Sequence, residues 1–226
     1  MRDRAYGQFC GLARAAEVLG QRWTILVLRD LLVAPRRYSE LLQGLPGIPT
    51  NGLASRLKEL EDDGLVVRII GAAPDRFVVY QATERAQELT PALDALARWG
   101  AAGMHQPRAG EVVTDASLVS ALRSAVRPRT TSKPRSAIYE VRIGDATAHA
   151  IVGRKAVAVN PGGHPASDLT LEAGPRFRDV LAGELNPDVA ATQDVVRLHG
   201  DRTLFKEFVS TFHVPYSAHL RPTSRG

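Results

Sequence analysis

The side chains best suited to contact another molecule lie in residues 50–63, TNGLASRLKELEDD. The leucines of this segment recur at the spacing that places them on one face of a helix. The opposite face carries Asn51, Ser55, Arg56 and Lys58, whose polar groups are suited to base edges and phosphates. Acidic residues crowd the far end. We therefore expect the first turns of this helix to face a polyanion; the alternative is an ordinary solvated helix of mixed charge.

The segments before this helix predict a helix-turn-helix. Residues 10–19 form a first helix with Leu12 on its apolar face, and residues 22–33 are apolar nearly all round, which is typical of a central helix. A short helix begins at Ser39, and GLPGIP at residues 44–49 contains too many helix breakers to be anything but a turn. A short helix, a glycine-containing turn and a second helix together make this motif.

A β-hairpin is predicted directly after the helix-turn-helix. Residues 65–70 and 77–81 are β-branched or aromatic, and GAAPDR between them is rich in turn formers. A hairpin in this position would be a wing whose tip, residues 72–76, reaches a phosphate or the minor groove. The predicted DNA contacts are Arg36, Arg37, Ser39, Thr50, Asn51, Ser55, Arg56, Lys58, Arg68 and Arg76.

The helix after the hairpin predicts a dimer contact. Thr83 is a favourable N-cap, and Leu89, Leu93, Leu96 and Trp99 continue an apolar stripe at three- and four-residue steps. Since the small domain's own core is already closed, this stripe suggests a second subunit. The alternative is that it packs on the first helix of its own chain.

Composition favours two domains and a cytoplasmic protein. The chain has 226 residues, 44% of them hydrophobic, and a net charge of +5. The basic excess lies in residues 106–135, so bulk charge does not mark the helix-turn-helix part. A single cysteine rules out an internal disulfide, and neither a signal peptide nor a membrane span of about 18 apolar residues is evident. We expect an N-terminal domain at 1–105, a linker at 106–116, a second domain at 117–214 and a tail at 215–226.

Residues 8–102 resemble the HxlR-type branch of winged-helix transcription regulators, within the MarR-like superfamily. The resemblance is carried by the cysteine before the first helix, Gly-x-x-Trp, Arg-Tyr-Ser-Glu-Leu, Leu-Pro-Gly-Ile, Leu-x-x-Leu-Glu-x-x-Gly-Leu and Tyr-x-x-Thr. It implies a DNA-binding homodimer that reads half-sites about 34 Å apart. Gly11 and Ala86 depart from the residues common in the family, and neither lies on the predicted DNA face.

Cys10 has two interpretations. Some members of this family sense oxidants or electrophiles with the cysteine at this place, which requires access and a lowered thiol pKa. Arg14, one turn along, would help to lower that pKa. The alternative is that Cys10 is a small buried hydrophobe beside an apolar helix.

From residue 137 the pattern changes to period two, which predicts strands, and short helices follow. This order indicates an α+β domain with a sheet covered by helices. The phrases DLTLEAGPRFRDVLAGELNP, VVRLHGD and LFKEFVSTF resemble the sterol-carrier-protein-like lipid-binding domain, which implies a hydrophobic cavity. The residues that would line such a cavity, or else form an ordinary core, are Leu118, Leu122, Tyr139, Val141, His149, Ile151, Phe177, Leu181, Phe205, Phe208 and Phe212. Alternation places Arg142 on the opposite face.

No motif predicts an enzyme, a metal site or a cofactor: the chain lacks G-x-S-x-G, H-E-x-x-H, C-x-x-C and a phosphate-binding loop. The sequence therefore favours a dimeric, sequence-specific DNA-binding transcriptional regulator, a repressor in type, whose partners are double-stranded DNA and a hydrophobic small molecule. Two alternatives remain open. One is a carrier of an apolar ligand whose winged helix serves only dimerisation or protein contact, and the other is a thiol-based redox regulator acting through Cys10.

Overall fold

The computed structural model describes residues 5–71, 77–105, 107–127, 136–174 and 176–217. The chain divides into two compact units, Met1–Leu93 and Asp94–Gly226. The division falls inside a helix, whereas the sequence places the end of the first domain at residue 105. Within the described ranges, no helix is both long enough and apolar enough to cross a membrane.

The first unit is a winged helix-turn-helix. Its elements in chain order are α1 (Gly11–Leu19), α2 (Thr24–Val33), β1 (Arg36–Arg37), α3 (Tyr38–Gly44), α4 (Thr50–Asp62), β2 (Val66–Ile70), β3 (Val78–Ala82), α5 (Glu84–Gln87) and the start of α6 (Thr90–Ala101). The three strands form an antiparallel sheet in the order β1-β3-β2. The helix-turn-helix and the hairpin are thus confirmed.

Two features of this unit differ from the sequence prediction. Arg36 and Arg37 form a strand that pairs with Tyr80 and Val79, a pairing too short to leave an alternating pattern. The predicted single helix after the hairpin is two helices. Thr83 accepts a hydrogen bond from the amide of Ala86, but the helix that it caps, α5, lasts one turn.

The core of the first unit is built between α2 and α4. Val27, Leu28 and Leu31 are buried on α2. The prediction that Leu12 belongs to an inward face of α1 is wrong: Leu12 is 79% exposed, and Ala13 is the buried residue of that helix. A short helix buries a side chain only where the neighbouring core surface reaches it, and periodicity alone does not show where that is.

Asp30 is a carboxylate within this core. It is 3% exposed, and its Oδ1 lies 2.7 Å from Nη2 of Arg29. A Cβ atom added at Gly44 would lie 2.9 Å from Oδ2, so α3 approaches Asp30 closely only because residue 44 is glycine. Burial raises the pKa of Asp30, and the neighbouring Arg29 only partly opposes this.

The second unit is a five-stranded sheet with helices, as the period-two pattern predicts. Its elements after α6 are α7 (Asp115–Ala125), β4 (Ala137–Ile143), β5 (Ala146–Val152), β6 (Val157–Pro161), β7 (Leu169–Ala173), α8 (Phe177–Ala182), α9 (Pro187–Thr192), β8 (Val196–Gly200) and α10 (Leu204–Thr211). The strand order is β6-β5-β4-β7-β8, and all pairs are antiparallel except β4 with β7. Tyr139 and Val141 of β4 are buried on one face, while Arg142 is exposed on the other.

Two arginine side chains of the second unit contact α6, one at its last residue and one at Asp94. Arg178 donates from Nη2 to the carbonyl of Ala101, 2.8 Å away, and its guanidinium lies 4.4 Å from the centre of the Tyr216 ring. Arg123 donates from Nε to both carboxylate oxygens of Asp94 at 2.8 and 2.9 Å. The Arg178 contact thus supplies a donor at the carbonyl end of the helix, where the last carbonyls have no intrahelical partners, and the Arg123 contact is an ion pair on the side of the helix.

We predict that Asp30→Asn changes how the stability of the first unit depends on pH. Because the folded-state pKa of Asp30 is raised, its contribution is largest below the ordinary aspartate pKa of about 3.9 and is lost as the pH rises through the folded value. The free energy of unfolding of the unsubstituted chain minus that of the variant should therefore fall as the pH rises from acid to neutral.

The measurement is urea unfolding followed by tryptophan fluorescence in a Trp99→Phe background, where Trp23 of the first unit is the remaining tryptophan. The control is the Trp99→Phe chain with Asp30 retained. A difference that grows with pH would show that the ion pair with Arg29 outweighs burial, and would contradict the prediction.

Candidate nucleic-acid interface

The buried leucines of α4 determine which of its side chains face outward. Leu53, Leu57 and Leu60 are at most 2% exposed, which leaves the opposite face of the helix in solvent. The exposed predicted contacts on that face are Thr50, Asn51, Ser55 and Lys58. The structure therefore brings these four polar side chains together on one surface.

The N-terminus of α4 is open. Pro49 is the N-cap residue, and among the described residues the helix has no side-chain cap hydrogen bond. Thr50 and Asn51 are residue types that favour the N-cap position, but both lie inside the helix. Uncapped amides and the positive end of the helix dipole favour an anion at this end.

Glu59 engages two of the predicted base contacts. Its Oε1 accepts from Nη2 of Arg56 at 2.8 Å and from the hydroxyl of Ser55 at 3.2 Å. The Arg56 side chain is only 14% exposed. The prediction that Arg56 reads a base stays a prediction; in this structure its guanidinium lies along its own helix against the Glu59 carboxylate. Helical periodicity assigns a residue to a face, but it does not show which partner the side chain takes.

Tyr38 connects α3 to the start of α4, a role that sequence analysis missed. Its hydroxyl donates to the carbonyl of Thr50 at 2.6 Å. Tyr38 is the first residue of α3, and Glu40 accepts from the amide of Arg37 at 2.6 Å, which fixes the beginning of that helix. Ser39, a predicted contact, is exposed in the same turn.

The wing places two predicted phosphate contacts side by side. Arg36 pairs in register with Tyr80, and Tyr80 pairs in register with Arg68, so the two arginines flank one tyrosine on the three-stranded sheet. Arg68 is exposed and Arg36 is half-buried. The guanidinium of Arg37 lies 5.5 Å from the centre of the Phe77 ring. Arg76 and the rest of the wing tip lie outside the described residues.

Cys10 is exposed, so its interpretation as a small buried hydrophobe is wrong. It is the N-cap residue of α1, and the nearby backbone amides of Ala13 and Leu12 lower the pKa of its thiol. Arg14 does not cause this shift. Its guanidinium is paired with Glu17, with 3.0 Å between Nη1 and Oε2. The helix amides thus supply the effect that the sequence attributed to a neighbouring cation.

The predicted ligand wall is not one surface. Nine of the eleven residues are buried, and Phe208 packs on Tyr139, Phe177 and Phe212 with ring centres 5.2, 6.1 and 4.6 Å apart. His149 and Ile151 are the exceptions. They alternate with the buried alanines of β5 and so lie on the opposite face of the sheet. Because side chains alternate along a strand, they cannot line the same cavity as Tyr139.

That opposite face holds a polar site that the sequence did not single out. Glu140 is 4% exposed; its Oε2 accepts from the amide of His164 at 2.7 Å and its Oε1 from Nε of Arg142 at 2.7 Å. Although burial opposes it, these hydrogen bonds lower the pKa of Glu140. A cavity of about 310 Å³ lies beside Arg142, lined by Arg142, Gly144, Glu172, Ala173, Gly174, Asp194, Val195 and Arg197.

The apolar stripe of α6 is divided. Leu93 is buried in the core of the first unit and Leu89 packs against it, whereas Leu96 is 50% and Trp99 79% exposed. Half of the predicted dimer stripe therefore belongs to the chain's own core. The other half is exposed in the described structure.

Comparison with known proteins finds relatives of the first part of the chain. Residues 18–108 match the family described as HxlR-like helix-turn-helix. An HTH-type transcriptional regulator of Synechocystis sp. is 35% identical over 100 residues, which cover 44% of this chain and 74% of that protein. YkvN of Bacillus subtilis, another HTH-type transcriptional regulator, is 40% identical over 91 residues, which cover 40% and 77%. A solved structure of the reduced form of the transcriptional regulator YodB from Bacillus subtilis is 31% identical and covers 41% of this chain and 92% of that one, with a TM-score of 0.38.

The fold and the open α4 surface define a winged helix-turn-helix protein. The chain belongs to the HxlR-like helix-turn-helix family. The family match ends at residue 108, so the likeness of the following domain to sterol-carrier proteins stays a prediction.

We predict that Tyr38→Phe weakens the attachment of α4 without unfolding the unit. The variant keeps the ring and loses one hydrogen bond, which is worth about 1 kcal/mol, so hydrogen exchange at the first hydrogen-bonded amides of α4, from Leu53 onward, should be roughly fivefold faster. Tyr6→Phe is the matched control, since Tyr6 is exposed in the N-terminal segment. Equal exchange in both variants would show that the hydroxyl does not hold the helix.

Proposed function

We propose that this protein is a dimeric, sequence-specific DNA-binding transcriptional regulator. The observation that carries the proposal is the exposed, uncapped N-terminal half of α4, with Asn51 and Lys58 directed to solvent and its leucines buried. Relatives of the same family are named HTH-type transcriptional regulators. A helix that enters the major groove by its first turns needs this distribution of polar and apolar side chains.

The side chains divide into base and phosphate contacts. Asn51 is suited to the paired donor and acceptor of an adenine edge, and Thr50 and Ser55 to either kind of base. Lys58 and Arg68 are exposed cations suited to phosphates, which fix register without reading sequence. The remaining proposed phosphate contacts are Arg36, Arg37, Ser39 and Arg76. Arg76 is proposed from the sequence alone, because it lies outside the described residues.

The proposed dimer uses the exposed part of α6. Leu96 is 50% and Trp99 79% exposed, so both present apolar surface to solvent. Two copies related by a two-fold axis would present two α4 helices to half-sites about 34 Å apart, one turn of DNA.

Modulation by a hydrophobic ligand is the finer part of the proposal. Such a ligand would act only by binding two states of the protein with different affinity, and a difference of about 1.4 kcal/mol changes DNA affinity tenfold. The packed aromatic cluster around Phe208 is the place to look for it. The alternative function, a carrier whose winged helix serves only association, requires retention of an apolar molecule and no DNA binding.

Cys10 supports a second candidate function, thiol-based regulation. The specific observation is an exposed thiol whose pKa is lowered by two helix amides. A larger thiolate fraction at neutral pH speeds attack on oxidants.

We predict that DNA binding depends on Lys58 as a phosphate contact. Fluorescence anisotropy with a random-sequence 30-base-pair duplex, over a salt series, should show affinity that rises steeply as salt falls. Lys58→Ala should reduce the slope of log affinity against log salt by about one. Lys155→Ala in the second unit removes the same charge and should leave the slope unchanged.

A second arm of this experiment tests sequence reading. Selection of bound sequences from the random pool should give a motif for the unsubstituted chain, and Asn51→Ala should relax it at one position at a cost of about 1–3 kcal/mol. No retention of any duplex at low salt, together with an apolar molecule found by native mass spectrometry, would instead establish the carrier.

For the thiol, we predict that Cys10→Ser abolishes any change in DNA affinity caused by peroxide. The chain has no other cysteine, so the variant has no thiol at all. A peroxide response that survives in the variant would exclude Cys10 as the sensor.

A further inference from the structure

The contact between Glu59 and Arg56 is unusual for a surface ion pair on a helix. The two side chains are only 17% and 14% exposed, and Nη1 of Arg56 lies 2.7 Å from Oε2 of Glu59. Nη2 donates to Oε1 at 2.8 Å, so each carboxylate oxygen lies close to one terminal nitrogen of the guanidinium. A pair shielded from water in this way is screened less by salt than an exposed one.

Arg56 is nevertheless not fully satisfied. Its Nη1 is buried, and although it is close to Oε2 it makes no aligned hydrogen bond. Guanidinium groups carry five donors, and a buried donor without an acceptor costs free energy. Arg56 is therefore held by charge in a position where part of its hydrogen-bonding capacity is unused.

The pair lies beside the proposed base contacts. Ser55 also donates to Oε1 of Glu59, and Ser55 and Lys58 are the exposed neighbours of the pair on α4. Glu59 thus sits where an unpaired carboxylate would repel DNA. An unpaired Arg56 at the same place would attract any phosphate or guanine.

We propose that Glu59 is a specificity-determining residue that withholds Arg56 from DNA of the wrong sequence. This proposal rests on the proposed DNA-binding function. Arg56 leaves Glu59 only where a base edge offers two aligned acceptors, as the O6 and N7 atoms of guanine do. A phosphate also offers two oxygens to a guanidinium, but exchanging one anion for the other would leave the Glu59 carboxylate unpaired beside the DNA, so on random DNA Arg56 stays with Glu59 and adds nothing to non-specific binding.

The proposal makes Arg56 a conditional contact. On non-specific DNA it stays with Glu59 and releases no counterion, so it does not contribute to the salt slope. At the correct site the bidentate contact supplies the hydrogen bonds that Nη1 lacks. Specificity then arises because wrong sequences leave the pair closed.

The test is Glu59→Gln, measured with the random-sequence duplex and with the sequence selected from the pool. Freed from the carboxylate, Arg56 should bind phosphates, so affinity for the random duplex should rise about tenfold and its salt slope by about 0.9. Affinity for the selected sequence should rise less, and the ratio of the two affinities should fall.

Three further variants separate this effect from bulk charge and from folding. Asp62→Asn, exposed on the same helix, removes an equal charge and should change neither the slope nor the ratio. Glu59→Asp keeps the charge but shortens the side chain, and should reproduce the loss of specificity in part. Arg56→Ala in the Glu59→Gln background should return the salt slope on random DNA to its original value.

The outcomes are distinct. If Glu59→Gln matches Asp62→Asn on both duplexes, or if Glu59→Asp keeps full specificity, the pair is structural and the proposal is overturned. Should Glu59→Gln fail to fold, Glu59→Asp decides alone. If the unsubstituted chain binds no duplex at any salt concentration, the proposed function itself fails; binding that is unaffected by these variants overturns only the role of Glu59.

Discussion

The burial of three leucines of α4 is the constraint on which the rest of the first unit depends. Leu53, Leu57 and Leu60 are almost completely removed from water, and each such burial is worth about 1.5–3 kcal/mol. Since a helix turns by about 100° per residue, shifting the packing by one residue would expose all three. The outward face, with Asn51, Ser55 and Lys58, is therefore fixed by the inward one. The polar side chains need no structural role of their own to be presented on one surface.

Much of this unit follows from sequence pattern because its elements are set by local rules. The apolar spacing in α2 and α4, the breakers at residues 44–49 and the hairpin around residues 71–77 each act over a few residues. The strand formed by Arg36 and Arg37 could not be predicted from local pattern, because it exists only through pairing with β3, which lies more than forty residues away in the sequence. The partners of Tyr38 and Glu59 are hidden for the same reason: hydrogen bonds depend on rotamers and on packing between elements.

The second unit shows the same division between faces and partners. Period two correctly separates Tyr139 and Val141 from Arg142. It also places His149 and Ile151 on the opposite face from the buried alanines of β5. The sequence prediction nevertheless grouped these two residues with the ligand contacts, because it chose them by residue type and by resemblance and did not apply the alternation. The parallel pairing of β4 with β7 leaves no signal in either strand. The cluster around Glu140 and the cavity beside Arg142 contain residues from several strands. Because the sequence does not show which strands are neighbours, it could not predict either of them.

The carboxylates at the end of α4 do not prevent an anion from binding near its start, because of their distance and their pairing. Along a helix rising about 1.5 Å per residue, Glu59 lies about 6 Å beyond Ser55, while Asp62 and Asp63 lie roughly 11–12 Å beyond it. The Debye length at physiological salt is about 8 Å, so the two more distant carboxylates are largely screened from an anion bound near Ser55. Glu59 is not, and it is the carboxylate that Arg56 neutralises at 2.7 Å. Glu61, about 9 Å beyond Ser55, is also more than a Debye length away. This helix and its acidic C-cap can therefore approach a polyanion, because the nearest carboxylate is already paired and the repulsion from the others falls with distance.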